Sequence, residues 1–265
     1  MIHSLKLKKK TRKANAPSVW IQSSFQPYEH DNEFEIARGS ITLIRELGTG
    51  NFGKVFEGTF KASDDAIQCV AVKTVKDEAS DKEGADFLNE ASIMKNFKTF
   101  RIIRLSGVIS KAQPYFVVME LLSNGDLKTF LSKYRPNENA VTNYSKFSAS
   151  QVVPQLGHMA IQIADGMAYL NQKYFVHGDL AARNCMVTAA YTIKIGYFGL
   201  TRDVYESNPV RWMTPECLKD GVFTGQRDIF SYGIVPWEIV TYAEQPYQGL
   251  LNEQVMSFVV NGGTE

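Results

Sequence analysis

A glycine-rich turn flanked on both sides by strand-like sequence constrains this chain most. Residues 41–60 read ITLIRELGTGNFGKVFEGTF, with apolar and polar residues alternating around Gly48-Thr49-Gly50-Asn51-Phe52-Gly53-Lys54-Val55. The alternation predicts two antiparallel strands joined by a loop. Glycines in this G-x-G-x-x-G-x-V spacing also serve plain hairpins and dinucleotide-binding folds. A dinucleotide fold opens a helix at the third glycine, whereas here a second strand follows. The pattern therefore argues for a flap over phosphates, whose glycines let backbone N–H groups approach closely.

The next segment, IQCVAVKTV, is rich in β-branched residues and predicts a third strand. In it Val70 and Val72 face one way, and Ala71 and Lys73 the other, towards a cleft. A lysine in a strand is commonly a solvated edge charge. One that faces a cleft wants an anion and a fixed partner, and Glu90 on the following helix is the candidate. Such a pair makes a nucleotide clamp, with the lysine on the α/β-phosphates and the glutamate holding the lysine.

That helix is ADFLNEASIMKNF, with Phe87, Ala91 and Met94 at helical spacing. Two strand-like runs follow, RLSGVIS and PYFVVMELL. Beyond Gly125 the helical period dominates, in LKTFLSKY, VVPQLGHMAIQIADGMAYLNQ and DIFSYGIVPWEIVTY. Strands first and helices later predict an α+β architecture with a cleft between two unequal lobes. Residues 135–150 read as a surface insert. The domain is expected over 41–265, with an N-lobe over 41–119 and a hinge and C-lobe over 120–265.

Composition narrows the function classes. The chain has 265 residues, 44% hydrophobic and 22% charged, the texture of a globular domain. Its net charge is +1, so bulk charge gives no reason to expect a nucleic-acid partner. Lys6, Lys8, Lys9, Lys10, Arg12 and Lys13 lie in an acid-free leader. That leader is either a solvated tail or a juxtamembrane basic segment that touches anionic lipid. Residues 1–40 read as leader and linker, gaining order near Phe34 and Ile36. The 3 cysteines are too few and too scattered for a disulfide framework or a zinc site. No secretory signal and no ~18-residue apolar run are present, so a cytoplasmic setting is expected, or the cytoplasmic face of a membrane within a longer receptor.

The family is suggested further along. His177-Gly178-Asp179-Leu180-Ala181-Ala182-Arg183-Asn184 is followed by Lys194-Ile195-Gly196-Tyr197-Phe198-Gly199 and Pro209-Val210-Arg211-Trp212-Met213-Thr214-Pro215-Glu216. With the glycine loop and Lys73 upstream, order and spacing resemble a protein kinase. The D-L-A-A-R-N loop and the PVRWM segment look like a tyrosine kinase. FLNEASIMK, QPYFVVMELL, GDLKTFL, IADGMAYLNQKYFVH and AEQPYQGLLNEQV are similar to the insulin receptor family of receptor tyrosine kinases.

The resemblance implies a bilobal kinase fold, ATP as cofactor and a role for each matching residue. Leu47, Val55, Ala71 and Met186 would sandwich the adenine, with Met119 as gatekeeper. Gly48, Gly50 and Gly53 would cover the phosphates. Glu120 and Leu122 would meet the adenine edge through their backbones, and Asp126 would reach the ribose. Lys73 would bind phosphate and Glu90 would hold it. Asp179 would be the catalytic base, Arg183 would help to position substrate, and Asn184 would hold a magnesium ion. Asp228 would anchor the catalytic loop from beneath.

Departures from the family pattern concentrate around catalysis. Tyr197 stands where the family has a magnesium-binding aspartate, and a neutral phenol is a poor ligand for a hard cation. Gly178 replaces an arginine that latches a phosphotyrosine of the activation loop. That loop is about ten residues short of the family pattern and keeps only Tyr205. Pro236 falls inside a helix, where it removes a hydrogen bond. The C-lobe is expected to lack its last helices, leaving Glu216 without its partner and an apolar helix face bare. The expected function is an insulin-receptor-like tyrosine kinase domain that binds ATP, with weak or absent magnesium binding and phosphotransfer lost or weak. Two alternatives remain: an active receptor-type tyrosine kinase, and a non-catalytic binding module or non-functional gene fragment. The partner would be a protein substrate or a docking partner such as a related receptor kinase.

Overall fold

The computed structural model describes residues 33–49, 53–62, 65–76, 78–135, 149–196, 209–221 and 224–263. Gly50, Asn51, Tyr197, Phe198, Gly199 and Tyr205, all singled out above, lie outside these residues.

The first lobe is a five-stranded antiparallel sheet in the order β1-β2-β3-β5-β4 with one helix. β1 (Ile41–Thr49), β2 (Lys54–Lys61) and β3 (Ile67–Thr74) are the strands expected around the glycine turn. β4 (Leu105–Ile109) and β5 (Phe116–Glu120) follow the helix α1 (Asp81–Met94). The alternation on β3 holds. Val70 and Val72 are buried with Ile109, Phe116 and Val118 in a small cluster on one face of the sheet. Lys73 lies on the opposite face, towards α1.

α1 starts where its sequence permits. Ser80 accepts a hydrogen bond from the Glu83 amide while the Glu83 carboxylate accepts one from the Ser80 amide, closing a capping box. Phe87, Ala91 and Met94, spaced at helical intervals, are buried in the main core. The segment before β1 also packs. The Val108 amide donates to the Phe34 carbonyl at 2.7 Å and its carbonyl accepts from the Ile36 amide at 2.9 Å, so residues 34–36 run along β4. Ile36 fills the space at Gly107, where an added Cβ would come within 2.8 Å of it. Arg38 donates to the carbonyls of Ala112 and Pro114 at 2.6 Å each.

The second lobe is helical. Its helices are α2 (Leu127–Ser132), α3 (Ala149–Gln172), α4 (Pro215–Asp220), α5 (Gly225–Val240) and α6 (Asn252–Val260); α2 and α3 pack on a two-stranded ribbon of β6 (Cys185–Val187) and β7 (Ile193–Ile195). The main core runs through both lobes, from Phe87 and Ile102 to Leu131, Ile163, Ile195, Val235 and Ile239. α5 passes through Pro236 without interruption, its buried face formed by Ser231, Val235, Glu238 and Ile239. The price of that proline is local: its nitrogen cannot donate to the Tyr232 carbonyl. Ile229, Trp237 and Val240 are exposed along the outer side of α5. Glu216 is only half-buried, in the first turn of α4, where the helix N-terminus favours an acid. Among the described residues no helix is long and apolar enough to cross a membrane.

Candidate active site

Strand register builds the upper wall of the cleft. Val55 lies opposite Lys73, and Ala71 opposite Met119, so these four side chains share one face of the sheet. At the same level Gly48 pairs with Val55, and Leu47 beside it is exposed. Gly53 is required by close approach: a Cβ there would stand 2.3 Å from the Thr74 carbonyl oxygen. Lys73 Nζ meets Glu90 Oε2 at 2.5 Å, and both side chains are almost wholly buried. A lone buried charge would be costly, so each requires the other. α1 is thereby tied to β3.

The hinge is tied downwards. The Glu120 amide donates to the Arg104 carbonyl at 3.1 Å, and its carboxylate accepts from the Arg104 amide at 2.7 Å and from Lys194 Nζ at 2.6 Å. The Leu122 carbonyl accepts from Gly125, and the Gly125 carbonyl accepts from Val187 at 2.8 Å. This pairing brings Asp126 opposite Met186, which places Met186 below the hinge. One oxygen of Asp126 accepts from the Thr129 amide at 2.8 Å and caps α2. That capping bond was not foreseen beside the ribose role expected of this residue.

The lower wall is the loop from His177 to Asn184. Asp179, 5% exposed, accepts from Arg183 at 2.6 Å through one carboxylate oxygen and from Asn184 Nδ2 at 2.9 Å through the other. Asn184 Nδ2 also donates to the Asp179 carbonyl at 2.6 Å. Asp228, at the start of α5, accepts from the His177 and Gly178 amides at 2.7 and 2.8 Å. The Asp179 amide donates to His177 Nδ1 at 3.3 Å, so the ring proton sits on Nε2 and points to the Gly196 carbonyl at 3.1 Å. The three expected catalytic residues thus stand together, with Asp228 beneath them.

Gly178 has φ +77°, in the left-handed region. An L-residue is strained there and a glycine is not. Its presence therefore has a backbone rationale that its side chain alone did not suggest.

Several residues of this wall escaped the sequence reading. Glu238 Oε2 accepts from the Ala182 amide and from Trp212 Nε1, each at 3.0 Å. Burial pushes the Glu238 carboxyl up, and these two hydrogen bonds pull it back. The Trp212 ring carries the Arg183 guanidinium 4.3 Å above it. Arg211 donates to the carbonyls of Pro246, Tyr247 and Leu250. An acid flanked by Val235 and Ile239 in an apolar helix was the signal available for Glu238. Partners some 26 to 56 residues away could not be read from it.

These residues fit a nucleotide but not a tightly held cation. The clamp and the apolar face of Val55, Ala71 and Met119 above Met186 suit a planar base and its phosphates. Among the described residues no group of three or more His, Cys, Asp or Glu converges on a metal position. Both Asp179 oxygens already accept hydrogen bonds, and Asn184 offers one neutral carbonyl oxygen, a weak donor set for magnesium.

Residues 41–264 match the family described as protein tyrosine and serine/threonine kinase. An insulin-like growth factor 1 receptor of Bos taurus is 52% identical over 244 residues, covering 88% of this chain and 38% of that protein. An insulin receptor of Xenopus laevis is 52% identical over 248 residues, covering 88% of this chain and 18% of that protein. An insulin receptor-related protein of Mus musculus is 51% identical over 244 residues, with the same shares of 88% and 18%. The chain spans less than two fifths of the length of these curated relatives. With its antiparallel sheet, helical second lobe and intervening cleft, it belongs to the protein tyrosine and serine/threonine kinase family as an insulin-receptor-like tyrosine kinase domain.

Proposed function

We propose that this domain binds ATP in the cleft and transfers phosphate to protein tyrosine weakly or not at all. The buried Lys73–Glu90 pair under a register-aligned apolar face carries the first half of this reading. Lys73 would hold the phosphates, and Leu47, Val55, Ala71, Met119 and Met186 would enclose the base. The Glu120 and Leu122 backbones would meet the base edge, Asp126 the ribose, and Gly48, Gly50 and Gly53 the phosphates. When bound, ATP supplies the phosphoryl group. Asp179 would accept the proton of a tyrosine hydroxyl while Arg183 positions the substrate.

Tyr197 and the weak donor set at Asn184 carry the second half, because phosphoryl transfer relies on charge stabilisation at the metal. A second reading, a working tyrosine kinase, is favoured by the intact grouping of Asp179, Arg183 and Asn184. The partner would be a protein, as substrate or as a docked receptor kinase, and the basic leader would lie against the cytoplasmic face of a membrane.

A thermal-shift titration with ATP, with and without magnesium, tests the binding. Ligand at 100-fold over its dissociation constant stabilises the fold by about 2.7 kcal/mol. A shift that needs magnesium overturns the proposal. A phosphotransfer assay with magnesium or manganese, run beside Asp179→Asn, tests the chemistry: strong transfer that this variant abolishes selects the second reading.

A further inference from the structure

Trp212 ends a short 3₁₀ turn, Pro209–Trp212, and is buried, held by contacts on three sides. Its carbonyl accepts from Ser231 Oγ at 2.7 Å. Its Nε1–H donates to Glu238 Oε2 at 3.0 Å. Ser231 and Glu238 lie two turns apart on the buried face of α5. On the third side the Arg183 guanidinium carbon stands 4.3 Å from the centre of the Trp212 ring. The same Glu238 oxygen accepts from the amide of Ala182, the residue before Arg183, at 3.0 Å. One buried oxygen thus fixes both the ring and the backbone that presents the cation to it.

A buried indole needs an acceptor for its N–H, and any carbonyl would serve. Here the acceptor is shared with the loop that carries Asp179. Arg183 Nη2 donates to Asp179 Oδ1 at 2.6 Å, although the Arg183 side chain is 27% exposed. A long side chain so placed loses rotamer freedom when it is held in one geometry, and a cation seated on an aromatic face offsets that loss. We infer that Trp212 is a positioning residue: pinned by Glu238, its ring face holds Arg183 on Asp179, so the Pro209–Trp212 turn and the loop from His177 to Asn184 act as one unit. The inference rests on the roles proposed for Asp179 and Arg183, but its test requires neither nucleotide nor turnover.

The test is a double-mutant cycle on the full chain by urea unfolding, joining Trp212→Leu to Arg183→Ala. Coupling of about fivefold in the unfolding constant is expected. Carbon NMR supplies a readout that packing alone does not move. The Asp179 carboxyl resonance should shift in Trp212→Leu in the direction it takes in Arg183→Ala. Trp212→Phe, which keeps a ring face, should hold that resonance nearer its native position than leucine does. Additivity within about twofold overturns the inference. So does an Asp179 resonance that Trp212→Leu leaves in place, or a phenylalanine no better than leucine. If Trp212→Leu does not fold, Arg183→Ala decides from the other side. Faster exchange of the Trp212 indole N–H, recovered in Arg183→Lys, then supports the pairing, and unchanged or unrecovered exchange overturns it. A negative phosphotransfer assay would leave this result standing.

Discussion

The two walls of the cleft hold their charged residues by different means. The upper wall uses one buried ion pair, Lys73 with Glu90, between neighbouring elements 17 residues apart. The lower wall holds Asp179 through a loop whose anchors, Asp228 and Glu238, arrive from α5 some 50 to 56 residues later. The upper wall keeps every described residue type expected of the family. The lower wall carries two of the departures, Gly178 and Pro236. A compact pair leaves little room for substitution, whereas a distributed set of anchors allows one contact to change while others hold the loop.

Breaking the upper wall should have the largest effect. Lys73→Met leaves Glu90 buried without its cation and should cost about 4 kcal/mol in urea unfolding, with loss of any ATP-induced thermal shift. On the lower wall, Asp228→Ala strands two buried amide donors. It should cost about 3 kcal/mol and speed amide exchange at His177 and Gly178 before the rest of the domain. If Asp228→Ala proves as mild as a surface change, the loop is held by something other than α5.

Pro236→Leu should act in the opposite direction. It returns an N–H to the Tyr232 carbonyl in a helix that is already formed, and should stabilise the chain by about 2 kcal/mol. No gain would mean that α5 has adapted around the proline. Gly178→Arg, which restores the family residue, should lower stability by about 1 kcal/mol because φ +77° strains an L-residue. A gain would show that the new guanidinium finds anions strong enough to outweigh the strain.

The smallest effect concerns pH. Burial raises the Glu238 carboxyl above its ordinary value, so the folded state takes up its proton before the unfolded chain does. Stability of the native chain should therefore rise, relative to Glu238→Gln, as pH falls from neutrality into the ordinary carboxylate range. The glutamine can still accept from Ala182 and Trp212 through its carbonyl. Parallel pH profiles for the two proteins would place no titration at this residue in that window.

Much of the upper wall was legible in the residues. The period of two on β3 separates Val70 and Val72 from Lys73, and the helical period of α1 brings Glu90 to the same side as the buried Phe87. Both follow from local geometry and need no distant partner. The short pieces were not legible. β6, β7 and α4 span 3, 3 and 6 residues, too few for a period to emerge. α6 is longer but has buried contacts only at Val255 and Val259, a sparse apolar pattern. Pro236 reads as a helix defect in sequence, yet α5 continues through it because Val235, Glu238 and Ile239 are held in the core.

The sequence by itself determined the order of strands and helices, the face on which Lys73 lies and the family to which the chain belongs. Local periodicity and motif spacing suffice for these. Only the tertiary structure decided that Glu238 joins Asp228 in holding the loop from His177 to Asn184, that Arg227 in the first turn of α5 is buried and that Gly178 is left-handed. Each depends on elements far apart in the chain meeting in a low-dielectric interior, where an unpaired charge or amide is costly and the surrounding packing selects the partner.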